Sequence, residues 1–117
     1  MNRPTSIAER PSKTRAMRAL TAKEVHIIDA RGQVDEKRVH VNGTGEELTW
    51  FAHGNENATI VFTASQGSPF QQSVFLVPAG GSVSTGGVTD SAKYNVPYKY
   101  TVVGPVGSND PEVIIER

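Results

Sequence analysis

The chain has 117 residues and a formal net charge of zero at pH 7, with 37% hydrophobic and 21% charged residues. This balance argues against an intrinsically disordered protein and against a membrane-spanning class, and the length fits one domain with a continuous core. There is no cysteine, which excludes disulfides and thiolate metal sites, so stability must come from packing.

The amino-terminal segment is strongly basic, and the remainder of the chain is acidic. Residues 1–23 contain Glu9 as their only acid among several lysines and arginines, together with Pro4 and Pro11 and few large apolar side chains. This pattern predicts a flexible, disordered basic arm over residues 1–23, with a short helix from Ser12 to Leu20 as an alternative. No aromatic residue interleaves the bases, so a solvated tail is favoured over a nucleic-acid-binding arm.

From residue 24 onward the hydrophobic pattern alternates with period two and is interrupted by turn residues. No segment after residue 23 has a helical period or the length of a crossover helix, so the sheets should be mainly antiparallel. We therefore predict an all-β, Greek-key antiparallel β-sandwich of about seven to eight strands, forming a single domain over residues 24–117. The predicted strands cover residues 25–28, 37–41, 48–52, 58–64, 73–77, 82–88, 98–103 and 112–116.

A two-layer sandwich needs large apolar side chains between its sheets. The alternating pattern places five candidates in that layer: Trp50, Phe62, Leu76, Tyr100 and Ile115.

Three segments resemble cupredoxin-like domains: the strand Leu48-Thr49-Trp50, the turn of residues 77–81, and the strand Tyr98-Lys99-Tyr100-Thr101. The resemblance covers residues 46–103 and implies the sandwich fold, although the same motifs occur in immunoglobulin-like domains. The residues 110–115 resemble the ending of small bacterial sandwich domains, which implies no activity.

The copper ligands of that family are missing from this sequence. The family's first histidine falls near Ala58 and Thr59, its cysteine falls at Val102, and no histidine or methionine follows Val102. A blue-copper centre needs a thiolate and two imidazoles. The resemblance therefore implies a scaffold without a blue-copper site, and we expect no cofactor.

Three histidines are the remaining candidates for metal ligands: His26, His40 and His53 lie on or beside three consecutive predicted strands. Imidazoles suit zinc or copper, and a sandwich could bring two of these rings together. Their spacing matches no established metal motif, so ordinary surface histidines explain them as well.

One aromatic residue is a candidate for contact with a partner protein. Phe70 follows Pro69 in the polar loop of residues 66–72, where it could stand exposed as an anchor or fold back onto the core.

No catalytic signature is present: there is no Gly-x-Ser-x-Gly elbow and no phosphate-binding loop, and neighbouring acids such as Asp35 and Glu36 point to opposite faces of a strand. The favoured function is a non-catalytic interaction or structural module that contacts a protein partner through a loop cluster or a strand edge. A histidine-based metal-binding protein is the alternative, and nucleic-acid binding through the basic arm is a weaker one. With no signal peptide in the sequence, we expect a cytoplasmic location, or a periplasmic or secreted one if a leader has been removed.

Overall fold

The computed structural model describes residues 20–117. Residues 1–19 of the predicted arm, and with them most of the alternative helix from Ser12, lie outside the described residues. Residues 20–117 contain no helix, and consequently none that is long and apolar enough to cross a membrane.

Nine strands form two sheets, which confirms the predicted all-β sandwich. The small sheet has the order β1-β3-β6, and the large sheet has the order β2-β9-β7-β4-β5, with β8 pairing against β7. The strands are β1 Thr21–Ile27, β2 Arg38–Asn42, β3 Glu46–Ala52, β4 Ala58–Phe62, β5 Val74–Val77, β6 Ser82–Ser84, β7 Pro97–Gly104, β8 Gly107–Asn109 and β9 Glu112–Glu116.

Five of the seven strand pairings are antiparallel, as predicted, and two are parallel: β1 with β3 and β2 with β9. No crossover helix is needed because the chain leaves the small sheet after β1, forms β2 in the large sheet, and returns as β3. β1 begins at Thr21, three residues before the predicted start of the domain. β6 ends at Ser84, earlier than predicted, and the chain turns at Gly86 with a φ of 74°.

The core lies between the two sheets and is centred on Trp50 of β3. Its ring contacts Phe75 of β5 with centroids 5.2 Å apart and Tyr100 of β7 with centroids 5.4 Å apart. Phe62 of β4 packs against the same group, 5.4 Å from Tyr100. Trp50, Phe62, Tyr100 and Ile115 are all buried, as predicted.

The prediction that Leu76 belongs to the core is wrong. Leu76 is 60% exposed, whereas its neighbours Phe75 and Val77 are buried. The run Val74-Phe75-Leu76-Val77 is apolar throughout, so hydrophobicity alone does not tell which alternate pair points inward. Because Phe75 packs against Trp50, Phe75 and Val77 point inward and Leu76 points outward.

Replacing Trp50 with Ala should lower the free energy of unfolding by about 3–5 kcal/mol, because a large buried ring leaves a cavity between the sheets. Leu76→Ala should cost less than about 1 kcal/mol, because its side chain faces solvent. Urea denaturation of both variants measures the difference. Equal losses for the two would contradict the assignment of Leu76 to the outer face.

The buried hydroxyl of Tyr100 gives the fold a dependence on alkaline pH. Burial raises the pKa of Tyr100 to about 12 from its ordinary value of 10; the nearby indole N–H of Trp50 opposes this shift in part, and the carboxylate of Asp35 adds to it. The Tyr100 hydroxyl and the Trp50 indole N–H have no hydrogen-bond partner among residues 20–117. The neutral phenol is therefore the form that the folded core accepts.

Because the pKa is raised in the folded state, the contribution of Tyr100 to stability is complete below pH 10 and is lost as the pH rises towards 12. Tyr100→Phe should remove this dependence. We expect the free energy of unfolding of the variant to lie within about 1 kcal/mol of the wild-type value near pH 7 and to gain roughly 2 kcal/mol relative to it by about pH 12. Urea denaturation across this pH range measures the difference, and parallel stability curves would contradict the prediction.

Candidate functional site

The edge strand β5 is the candidate interaction site. β5 bonds only to β4 and ends the large sheet on that side. The strand consists of Val74, Phe75, Leu76 and Val77, and Pro78 follows immediately. Proline has no N–H to donate, so the ladder stops there.

The hydrogen-bond pattern of β4 and β5 shows which backbone groups remain free. Phe62 donates its N–H to the carbonyl of Ser73 at 2.8 Å, and the register pairs Ile60 with Phe75 and Ala58 with Val77. Bonded and non-bonded pairs alternate in an antiparallel ladder. Phe75 and Val77 therefore bond to β4, whereas the N–H and C=O groups of Val74 and Leu76 point to the open edge.

The side chains of the same two residues lie on the outer face of the large sheet. Val74 is 55% exposed and Leu76 is 60% exposed. Thr59 of β4 separates Leu76 from Val103 of β7, which is also exposed. Val61 of β4 lies beside Val74 in the same way. These apolar and β-branched side chains form a continuous outer surface from the open edge of β5 across β4 to β7. We call this surface the β5 face.

Charge is absent from the two outer strands of the β5 face, β4 and β5. Residues 57–89, which include β4, β5, β6 and their connections, contain no Asp, Glu, Lys, Arg or His. The opposite edges of the two sheets are charged: β1 carries Lys23 and Glu24, and β2 carries Arg38 and His40. Charged residues are the usual means by which edge strands resist pairing with other chains, and β5 has none.

This segment was visible in the sequence, although the strand pattern alone did not single it out. The chain has 21% charged residues, yet this run has none. Depletion of charge is typical of the centre of protein–protein interfaces. The sequence did not reveal the outward direction of the Leu76 side chain. With Leu76 predicted in the core, the exposed apolar surface of the β5 face could not be recognised.

Phe70 is not an exposed anchor. It is 3% exposed, and its ring packs against Phe62 with centroids 6.0 Å apart and an edge-to-face angle of 65°. Phe70 also forms an isolated bridge with Val88. The loop folds back onto the core, which is the second of the two possibilities predicted for Phe70. Burial of so large an aromatic ring is more favourable than its exposure to water.

The structure brings the rings of two of the three histidines into contact. Nδ1 of His26 lies 2.5 Å from Nε2 of His53. His40 lines the same open cleft as His26, but its Nδ1 lies 2.7 Å from a carboxylate oxygen of Glu116. Within residues 20–117 no group of three or more His, Asp or Glu side chains is positioned to hold a metal ion. A site shared by all three histidines is therefore not formed.

The corner at which the resemblance places copper does not fit that metal. Ala58 and Val102 are buried and present only hydrocarbon, and the turn beyond β7 supplies Gly104 and Pro105 to the cleft beside Ala58. Ala58 and Val102 carry no nitrogen or sulfur ligand. His53 lines the same cleft, but the chain has no cysteine to supply the thiolate of a blue-copper centre.

Comparisons with known proteins support the fold and nothing finer. No family model matches the chain, and a search of curated proteins gave no match. A solved structure of an amicyanin mutant in its reduced state is similar over 86% of this chain and 85% of its own, with a TM-score of 0.53 and 16% sequence identity. At this identity the likeness concerns the fold alone. Residues 20–117 thus form a cupredoxin-like β-sandwich, and in this part of the chain no group of three or more side chains is positioned to hold a metal ion.

Proposed function

We propose that this protein is a non-catalytic interaction module that associates through β5 by strand addition, and that its partner is a second copy of the chain. The observation that carries the proposal is the open edge of β5, where Val74 and Leu76 present unpaired backbone groups beside exposed apolar side chains. Strand addition uses such an edge, with main-chain hydrogen bonds giving affinity and alternate side chains giving specificity.

A second copy matches this edge in chemistry. Because β5 is uncharged, two copies meet without like-charge repulsion, and each supplies the apolar, extended strand that the other can pair with. A two-fold axis through Phe75 would place Val74 of one copy opposite Leu76 of the other. That register engages the free N–H and C=O groups of both residues in each copy.

The same register joins the two β5 faces. Val74 and Leu76 lie on one face of their strand, so antiparallel pairing across a two-fold axis keeps them on the same side of the continuous sheet. The two β5 faces would then lie side by side as one surface, and the cross-strand contacts between Val74 and Leu76 would remove the area between these side chains from water at about 25 cal/mol for each Å² buried. Main-chain pairing and side-chain burial thus favour the same arrangement.

The histidine-based alternative is less well supported as the main function, since no group of three or more His, Asp or Glu side chains within residues 20–117 is positioned to hold a metal ion. Nucleic-acid binding through the basic arm stays a prediction, because residues 1–19 lie outside the described part of the chain.

Sedimentation equilibrium of the full chain tests the proposal. We expect a monomer–dimer equilibrium in the wild type and at least a roughly tenfold weaker association for Leu76→Lys, because an ammonium group would have to be brought against the apolar face of the second copy. Val106→Lys is the matched control. Val106 is 70% exposed and lies in the turn between β7 and β8, away from β5.

The control variant should associate like the wild type. A monomer at the highest soluble concentration of the wild type would overturn the proposal. So would equal weakening by the two lysine substitutions, which would indicate association through scattered apolar residues. Circular dichroism of each variant checks that the sandwich is intact.

A further inference from the structure

The pair formed by His26 and His53 lies on the small sheet, apart from β5, and has an unusual geometry. Their ring centroids are 4.8 Å apart and their planes are inclined by 9°, while Nδ1 of His26 lies 2.5 Å from Nε2 of His53. A nitrogen separation so much shorter than the centroid separation requires the rings to meet edge to edge in nearly one plane. The two nitrogens therefore point directly at each other.

The surroundings of His26 fix its tautomer and the orientation of its ring. Nε2 of His26 lies 3.3 Å from a carboxylate oxygen of Glu24. An ionised carboxylate only accepts hydrogen bonds, so in this contact Nε2 is the N–H donor and Nδ1 has a free electron pair that faces His53. The ring of Phe51, which is paired with His26 in the β1–β3 register, lies parallel to the imidazole at 4.8 Å.

Such an arrangement is typical of a histidine that binds a metal. Metal-ligating imidazoles usually donate their second ring N–H to a carboxylate or carbonyl, which orients the ring and raises the basicity of the ligating nitrogen. Glu24 occupies that place for His26. His40 has a carboxylate partner as well, Glu116, but no second imidazole within residues 20–117 faces it.

We infer that His26 and His53 form a binding site for a divalent first-row metal ion, with Zn(II) as the working example. The protein ligands are Nδ1 of His26 and Nε2 of His53, and water completes the coordination shell. Imidazole nitrogens suit zinc at about 2.0–2.1 Å in a tetrahedral arrangement, which sets the two nitrogens about 3.3 Å apart. The rings must therefore separate by about 1 Å and tilt.

His53 can make this movement. It is the first residue after β3, its side chain is exposed, and it begins the loop that leads to β4 at Ala58. The hydrogen that Nε2 of His53 directs at His26 in the metal-free pair moves to Nδ1 of His53 when the metal binds. With two protein ligands, the affinity should be lower than that of structural zinc sites with four.

Isothermal titration of the full chain with Zn(II) tests the inference. We expect one equivalent to bind to the wild type, no measurable binding at this site for His26→Ala or His53→Ala, and wild-type affinity for the control His40→Ala. Glu24→Gln should weaken binding about tenfold, because it replaces the carboxylate that orients His26. If His26→Ala does not fold, His53→Ala alone carries the test, since its side chain is exposed in a loop.

Absence of zinc binding by the wild type would overturn the inference. It would also be overturned if His40→Ala lowered the affinity as much as His53→Ala, which would indicate scattered surface binding. Neither result bears on the β5 edge, because association of Leu76→Lys is measured without metal.

Discussion

The contact of Trp50 with Phe75 holds the small sheet against the edge of the large sheet, and the exposed features of β5 depend on it. Trp50 stands in β3 of the small sheet, and Phe75 stands in β5. With their centroids 5.2 Å apart, Phe75 must point inward. A strand has a side-chain period of two, so Val74 and Leu76 must then point outward. A one-residue slip of β5 would bury Leu76 and expose Phe75.

The formal net charge is zero, but the charged residues are distributed unevenly between the edges of the sheets. Along β2 and β9, Arg38 lies 2.6 Å from Glu112 and His40 lies 2.7 Å from Glu116, so that edge of the large sheet carries ionic groups. The β5 edge has none. Ionic edges discourage pairing with another chain, whereas an uncharged edge with free backbone groups permits it. Of the two strands that end the order of the large sheet, β2 and β5, only β5 is uncharged and therefore suited to strand addition.

Much of the fold was predictable because alternation and turn residues are local signals. The pattern around Trp50 placed β3, its inward face and the core in agreement with the structure. The outward direction of Leu76 was not predictable, since the run from Val74 to Val77 is apolar at every position and its direction is set by contact with a distant strand. Phe70 was ambiguous for the same reason, because its burial depends on packing against Phe62.

The candidate sites were predictable to different degrees. The sequence supplied three histidines on neighbouring strands, but only the parallel pairing of β1 and β3 brings His26 beside the end of β3, where His53 follows. A parallel pairing was not expected from short strands without a crossover helix. The lack of charge in residues 57–89 could be read directly from the sequence, whereas the free backbone groups of β5 follow only from the strand order.

Amide hydrogen exchange resolved by residue, followed over a range of protein concentrations, tests the role of β5 most directly. Phe75 and Val77 bond to β4, so their amides should exchange slowly at every concentration, whereas those of Val74 and Leu76 are free in a single copy. The account predicts that the Val74 and Leu76 amides exchange rapidly in dilute solution and become protected as the concentration rises. Rapid exchange of both amides at the highest concentration would contradict it.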